Sequence, residues 1–579
     1  MSKYVLIGID TVGIQKYIFG SNNLKQIVGA SGLVHWATNE LVVKQLVALG
    51  KDSTNVYYDK NLDKVKYLEN TIEDGLISEL VYVGGGNTFI IFKELEHAEE
   101  FSRNFTKEVL LNASGLEIII THTEFDWDAN DLAEKTIPLI LKKLRDKKYQ
   151  RKRSSNILGL GITANCQYTG LPAIELRNGS LTEVLDVNLE LINGSKSDPM
   201  NKSLVRVSKN VSDKLRFYKR SEKRFMDMFP NVKDRGYEFI HNFGDFGTKN
   251  ESSFIAVVHA DGNDMGKRVQ AITSTKENRE SNRKYIDAIR KFSLNVENTT
   301  ISTIVSTIDQ LLESIDTMCS QTDDEKLKET IEGMIRPNDK SNSFKGFKKL
   351  LPFRPIIVGG DDLTFVCDGR LGLTLTELYL ENLKKAPKLS DGKPISAKAG
   401  IAIVNSHYPF TRAVELAESL ASSAKDILRD INKEDVSSMD WHFGSSGTLE
   451  GLDNIRNNTY TVNLNNKLGK LHMRPVFVGD PGAPKWRTWD NFCKIISEFK
   501  GEEWSKRKNK LKTIREKLPE GPDSVEKYLQ FYELDEKPGL PEIPNNPATR
   551  TSGWIGDTCT CFDAIEALDF FIPLQGDQK

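Results

Sequence analysis

A glycine-rich four-residue turn between two β-rich runs occurs twice in this chain, and that repetition limits the fold more than any other feature. The first instance is Glu79 to Val83, the turn Gly84-Gly85-Gly86-Asn87, and Thr88 to Phe92. The second is Pro355 to Val358, the turn Gly359-Gly360-Asp361-Asp362, and Leu363 to Val366. Turn residues flanked by β-rich runs signal a hairpin. Each hairpin follows a short apolar strand and a helical crossover: Tyr4 to Ile9 with a helical stretch from about Leu24 to Leu49, and Phe254 to His259 with helices between about Lys284 and Met334. Each is followed by a helix and a strand, near Ala98 to Leu111 and Leu116 to Ile120 in the first copy, and near Thr374 to Leu383 and Ala397 to Val404 in the second. The order βαββαβ is that of a ferredoxin-like domain. A chain of 579 residues exceeds what one core supports. The expectation is therefore an α+β protein with ferredoxin-like domains over 1–125 and 246–432, an inserted mostly helical domain over 126–245, and a mostly helical C-terminal domain over 433–579.

The two copies differ in their acids. In a ferredoxin-like sheet the third strand runs antiparallel between the first and second, so the hairpin tip lies beside the C-terminal end of the first strand. In the second copy this brings Asp261, within His259-Ala260-Asp261-Gly262-Asn263-Asp264, next to Asp361 and Asp362 from about 100 residues away. Clustered carboxylates repel unless cations neutralise them or protons are taken up. Magnesium or manganese suits an oxygen-only donor set that also receives substrate phosphates. Two such ions can activate a hydroxyl and stabilise a leaving group in an in-line displacement at phosphorus. Asp261, Asp361 and Asp362 are the expected catalytic and metal-binding residues, with the Gly262 carbonyl as a further ligand. Gly359, Gly360, Gly262 and Asn263 line the expected nucleotide site, where glycine lets a nucleotide approach the backbone closely. Lys267 and Lys425 are the candidate cations for a triphosphate. Lys425 sits on a helix whose apolar face is Val414, Ala417, Ala421, Ala424 and Leu428, at helical spacing. For Lys425 a solvated helix face is an equal reading.

In the first copy Asp10 ends the strand, but Gly84, Gly85, Gly86 and Asn87 supply no acid. That copy reads either as a degenerate packing partner or as a non-catalytic nucleotide pocket formed with the second. His259 reads as a strand residue and not as a general base.

Charge narrows the partners. Lys and Arg total 79 against 81 Asp and Glu, so no global field draws nucleic acid or an anionic membrane to the chain. The local exception is Lys142 to Arg153, where eight bases face the single acid Asp146. A solvated helix face is the simpler reading, and an RNA or phosphate contact is the other. No apolar run approaches the ~20 residues of a membrane span. The opening MSKYVLIGID lacks the regions of a secretory signal, and six cysteines in so long a chain do not form a disulfide framework. A cytoplasmic location is expected.

With these motifs in place, the chain resembles the large polymerase-like subunit of type III CRISPR effector complexes. Gly13-Ile14-Gln15-Lys16-Tyr17-Ile18-Phe19, Leu24 and Gly29-Ala30-Ser31 look like the opening of that family's first palm domain, and GGGN like its inactive hairpin. HADGNDMGK and VGGDD look like its second palm. The resemblance covers most of the chain. It implies synthesis of cyclic oligoadenylates from ATP as an antiviral second messenger, with ATP bound in a cleft between two palms. The implied partners are other CRISPR effector subunits and guide RNA, or none in a freestanding system. A more distant similarity to diguanylate cyclases supports phosphodiester formation and leaves base choice open.

Two departures from the family pattern change the expectation. None of the eight histidines is followed by Asp, so the HD nuclease activity of many members is not expected. The zinc-binding cysteine cluster often found between the palms is reduced to Cys166, and four-cysteine coordination needs four. Cys559 and Cys561 form CxC without a second pair, and ordinary burial is the expectation. The competing readings are a catalytically silent scaffold subunit of an RNA-guided complex and a cyclic dinucleotide synthase.

Overall fold

The computed structural model describes residues 3–50, 52–151, 161–178, 184–185, 204–248, 253–322, 324–335, 349–429, 431, 433, 435–444, 450–464, 467–482 and 484–574. The chain is a mixed α+β protein that divides into two compact units. The first comprises Met1–Pro230 with Asp264–Glu297, and the second Asn231–Asn263 with Asn298–Lys579.

The sheet of the first unit contains strands β1 (Lys3–Val12), β2 (Ser78–Gly84), β3 (Asn87–Phe92) and β4 (Glu117–Asp126). Their spatial order is β2-β3-β1-β4, and every pairing is antiparallel. The β1–β3 register places Asp10 opposite Asn87. One face packs Leu6, Val81, Phe89, Ile91 and Ile119 against Ile137, Ile140 and Leu144 of helix Ile137–Gln150, and against Tyr285, Ile286 and Ile289. Area burial of this kind contributes about 25 cal/mol per Å².

That unit also holds a small sheet outside the repeat. Strands Ala173–Arg177, Val184–Leu185 and Val205–Ser208 lie within the stretch read from sequence as mostly helical, beside helix Lys209–Met228. The signal was weak because the first of these strands leaves Ile174 exposed, so apolar residues do not mark it as a buried element.

In the second unit, strands β5 (Phe254–Gly262), β6 (Phe353–Gly359), β7 (Asp362–Asp368) and β8 (Ala397–Asn405) lie in the order β6-β7-β5-β8, again antiparallel throughout. The central strands are covered on both faces, and their sequences run apolar for several residues, as FIAVV and AGIAIV do, instead of alternating. Helix Phe410–Leu428 packs on the sheet through Val414, Ala417, Ala421 and Ala424, all buried. Leu428, at the end of the expected stripe, is only half-buried.

Two further strands extend this sheet beyond the expected domain end at 432. Strand β9 (Ser437–Gly444) runs parallel to β8, and β10 (Val476–Val478) pairs antiparallel with β9. In sequence, β9 reads SSMDWHFG, a polar and aromatic string without β-branched residues. Its Asp440 is buried, and Arg456 supplies the charge partner at 2.7 Å. No helix among the described residues is long and apolar enough to cross a membrane.

Candidate functional site

The acidic site of the second unit is assembled by strand register. Asp261, near the end of β5, lies opposite Asp362 at the start of β7 on one side and opposite Lys398 of β8 on the other. Gly359 faces Asp362 across the hairpin. Gly360 turns the chain with φ of 60°, a left-handed conformation that glycine adopts without steric cost. The outcome is one carboxylate oxygen each from Asp261, Asp361 and Asp362 within 4.8 Å of one another. Among the described residues this is the one group of three or more His, Cys, Asp or Glu side chains placed to hold a metal ion.

The electrostatics register a shortage of positive charge. The Asp361 carboxyl is held above its ordinary range by burial first and by the Asp261 charge second. That of Asp362 is raised by burial, then by Asp361 and Asp261. Both shifts favour the neutral acid, so bringing these three residues together without a cation is unfavourable. An oxygen-only donor set that gains protons when left alone fits a hard divalent cation such as Mg²⁺ or Mn²⁺.

One side chain partly offsets the charge. The Lys398 ammonium pairs with the Asp261 carboxylate and lies 3.5 Å from the Asp261 carbonyl oxygen and 3.4 Å from that of Gly262. Sequence reasoning missed this residue, although the signal was there: a single lysine within the otherwise apolar strand AKAGIAIV. Tyr379, on helix Gly372–Lys385, was missed as well. Its phenol is raised by burial and then by the charges of Asp361 and Asp362.

The remaining candidates distribute as follows. Asn263 is fixed by its backbone N–H donating to the Ser396 carbonyl at 2.9 Å and its side-chain amide donating to Ser396 Oγ at 3.1 Å. Lys425 is exposed in the last turn of its helix. The neighbouring Ala424 carbonyl accepts from Ser438 Oγ at 2.7 Å, and Ser438 lies opposite Lys398. The helix therefore returns Lys425 to the acidic end of the sheet. Lys267 belongs to the first unit, where it is largely exposed and paired with Asp264 at 2.8 Å. His259 meets Thr364 Oγ1 at 3.1 Å, and burial lowers its pKa, as befits a neutral strand residue.

The first unit repeats the register without the acids. Asp10 lies opposite Asn87, and Gly85 and Gly86 turn the hairpin with φ of 56° and 82°. Gly84 lies beside Ser293. Lys148 forms an ion pair with Asp10, so the lone carboxylate already has a cation. Much of the basic run is engaged in the same way. Lys143 donates to the His122 carbonyl at 3.0 Å, Lys147 to the Ile120 carbonyl at 2.8 Å, and Arg151 pairs with Glu117 at 2.6 Å. These contacts tie helix Ile137–Gln150, and Arg151 just beyond it, to edge strand β4. Lys152 and Arg153 lie outside the described residues. Cys559 and Cys561 are fully buried, and burial pushes both thiols up, that of Cys561 to about 12.

Neither a family model nor a curated protein matches the chain. Similar solved structures are those of Csm1–Csm4 cassettes. A cassette in complex with cA4 shares 14% identity, covering 98% of this chain and 70% of that chain, with a TM-score of 0.48. One in complex with one ATP also shares 14%, covering 99% and 70%, with a TM-score of 0.48. The Csm1–Csm4 subcomplex of the type III-A CRISPR-Csm interference complex shares 14%, covering 98% and 70%, with a TM-score of 0.47.

Proposed function

We infer that this chain is a metal-dependent nucleotidyltransferase that joins ATP into cyclic oligoadenylates, as the large polymerase-like subunit of a type III CRISPR-like defence system. The observation that carries this reading is the convergence of Asp261, from the end of β5, with Asp361 and Asp362 of the glycine-containing hairpin tip to within 4.8 Å. The strand orders β2-β3-β1-β4 and β6-β7-β5-β8 support two ferredoxin-like palm domains over 1–125 and 246–432. The intervening 126–245 is then an inserted domain and 433–579 a C-terminal domain, whose strands β9 and β10 continue the sheet of the second palm.

In this reading Asp261, Asp361 and Asp362, with the Gly262 carbonyl, hold two Mg²⁺ or Mn²⁺ ions. Ions held there would supply activation of a ribose hydroxyl and charge neutralisation at the pyrophosphate leaving group. The chain's own contribution is placement. Strand register fixes Asp261 and Asp362 opposite each other, Gly359 and Gly360 leave the backbone open to the nucleotide, and Asn263 is pinned by Ser396. Lys425 serves as a cation for the triphosphate. The first copy, with Gly84, Gly85, Gly86 and Asn87 at its tip, has no acid there for metal and takes the role of a nucleotide-binding or packing partner. The likeness of the motifs HADGNDMGK and VGGDD to those of the type III CRISPR large subunit implies other CRISPR subunits and guide RNA as partners, or none in a freestanding system.

The test is incubation of the purified protein with ATP and Mn²⁺, alone and together with guide-RNA-containing CRISPR subunits and a matching target RNA, followed by mass spectrometry of the products. Cyclic oligoadenylates formed by the wild type and absent with Asp361→Ala and Asp362→Ala are expected. Product formed equally by both variants overturns the assignment, a mixed or guanine-containing product redirects it to a dinucleotide synthase, and no product from any variant supports the silent scaffold.

A further inference from the structure

Lys398 is a buried cation inside the acidic site, and no part of the reading so far uses it. Its side chain is 10% exposed and reaches the site from β8, directly across from Asp261. The ammonium touches three oxygens: the Asp261 carboxylate and the carbonyls of Asp261 and Gly262. Two of them, the carboxylate and the Gly262 carbonyl, are the donors assigned above to a divalent ion. A lysine ammonium has three hydrogens and no acceptor, so a cradle of three oxygens satisfies it fully.

We propose that Lys398 is a tethered counter-ion that occupies part of the metal-binding donor set in the metal-free protein and weakens metal binding until a triphosphate is present. This rests on reading the cluster as a divalent-metal site. The charge arithmetic supports it: three ionised carboxylates and one ammonium leave two negative charges, which one divalent ion neutralises. A second ion then lacks protein charge and has to arrive with the phosphates of the nucleotide. The first unit shows the same device carried further, since Lys148 pairs with Asp10 where the tip offers no second acid.

The test is Mn²⁺ binding to the full chain without nucleotide, followed by electron paramagnetic resonance, for the wild type, Lys398→Met and Lys398→Arg. Removing one positive charge a few Å from a divalent ion is expected to tighten Mn²⁺ binding by about tenfold and to raise the number of ions bound without nucleotide. Lys398→Arg keeps the charge and is expected to retain the weaker wild-type affinity. In the same samples, Lys398→Met is expected to unfold earlier than the wild type in metal-free buffer, because Asp261 has lost its partner. A lysine that merely supports the fold would give the stability loss without the tighter Mn²⁺ binding, and that result overturns the proposal. Weaker binding in Lys398→Met overturns it too, by making the lysine an organiser of the ligands. Absence of Mn²⁺ binding from the wild type and from Lys398→Met alike, with ATP added as well as without it, in samples with a normal unfolding transition, refutes the metal site itself. Wild-type binding that Lys398→Met leaves unchanged refutes only the role of the lysine.

Discussion

Replacing Asp362 with asparagine should stabilise the metal-free protein, the reverse of what loss of an important residue usually does. The three carboxylates have oxygens within 4.8 Å of one another. Two unit charges at that separation repel by about 0.9 kcal/mol at the dielectric of water and by about 3.5 kcal/mol at an effective value of 20. The site is partly open to solvent and Lys398 offsets the charge on Asp261, so the lower part of that range applies. We expect a gain of about 1 to 2 kcal/mol. Urea unfolding, followed through the buried Trp441 and Trp489 of the same unit, measures it in EDTA. Saturating Mn²⁺ should reverse the ranking: a hundredfold excess over Kd stabilises the wild type by about 2.7 kcal/mol, whereas the variant has lost a ligand. The pH dependence follows from the direction of the shifts. Asp361 and Asp362 have raised pKa values in the fold, so their ionisation costs stability above those values. The cost is relieved as pH falls through them toward the unfolded value. The advantage of Asp362→Asn in EDTA should therefore shrink as pH is lowered from 8 to 5. A variant less stable than the wild type in EDTA, or equally stabilised by Mn²⁺, would refute the reasoning.

Other perturbations read the scaffold. Glu79 is fully buried and accepts hydrogen bonds from Arg283 and Arg290 at 2.6 to 2.7 Å and from the Ile72 backbone N–H at 2.9 Å. Glu79→Ala removes the buried carboxylate shared by Arg290 and Arg283, the latter keeping Glu73, and should cost about 3 kcal/mol in chemical denaturation of the first unit. Gly400→Ala would place a Cβ 1.9 Å from the Ala417 carbonyl oxygen and 2.4 Å from the Ala421 nitrogen. It should push helix Phe410–Leu428 off the sheet at a cost of about 3 kcal/mol or more, visible as a lowered thermal midpoint. His442 and His472 are held neutral by burial first and then by Arg474 and Arg456, with pKa values lowered to about 3 and about 2. The unfolded chain protonates both near pH 6.5 and the fold does not, so stability should fall as pH drops from about 6.5 toward 3. His472→Asn should flatten that slope in urea titrations between pH 7 and 4.5.

What could be read in advance depended on whether a residue's partner lay in a pattern or in a register. The two hairpins were legible because glycine and acid at a tight turn, set between apolar runs, leave few alternatives. The proximity of Asp261 to Asp361 and Asp362 followed from strand order alone. Strand β9 was not legible, because its membership depends on a buried Asp440 that is tolerable only with Arg456 beside it, a pairing that no local window contains. Part of the basic run misleads for a similar reason. As a string it suggests a polyanion, yet Lys143, Lys147 and Arg151 are engaged by their own sheet edge.

Lys398 shows the same limit at the site itself. A lysine in an apolar strand is conspicuous, but its meaning appears only when β8 sets it opposite Asp261. The two units then become comparable position by position. Asp10 faces Asn87 and is paired with Lys148, while Asp261 faces Asp362 and is paired with Lys398. One negative charge with one ammonium is neutral and has no call on a metal. Three with one ammonium are not neutral. On the proposed reading, what sets the second copy apart is therefore not the presence of an acid at the end of the first strand, which both have. It is the excess of carboxylate over built-in cation that the hairpin tip supplies. Returning acids to the first tip without removing Lys148 should accordingly yield a weaker Mn²⁺ site than the same change made together with Lys148→Met.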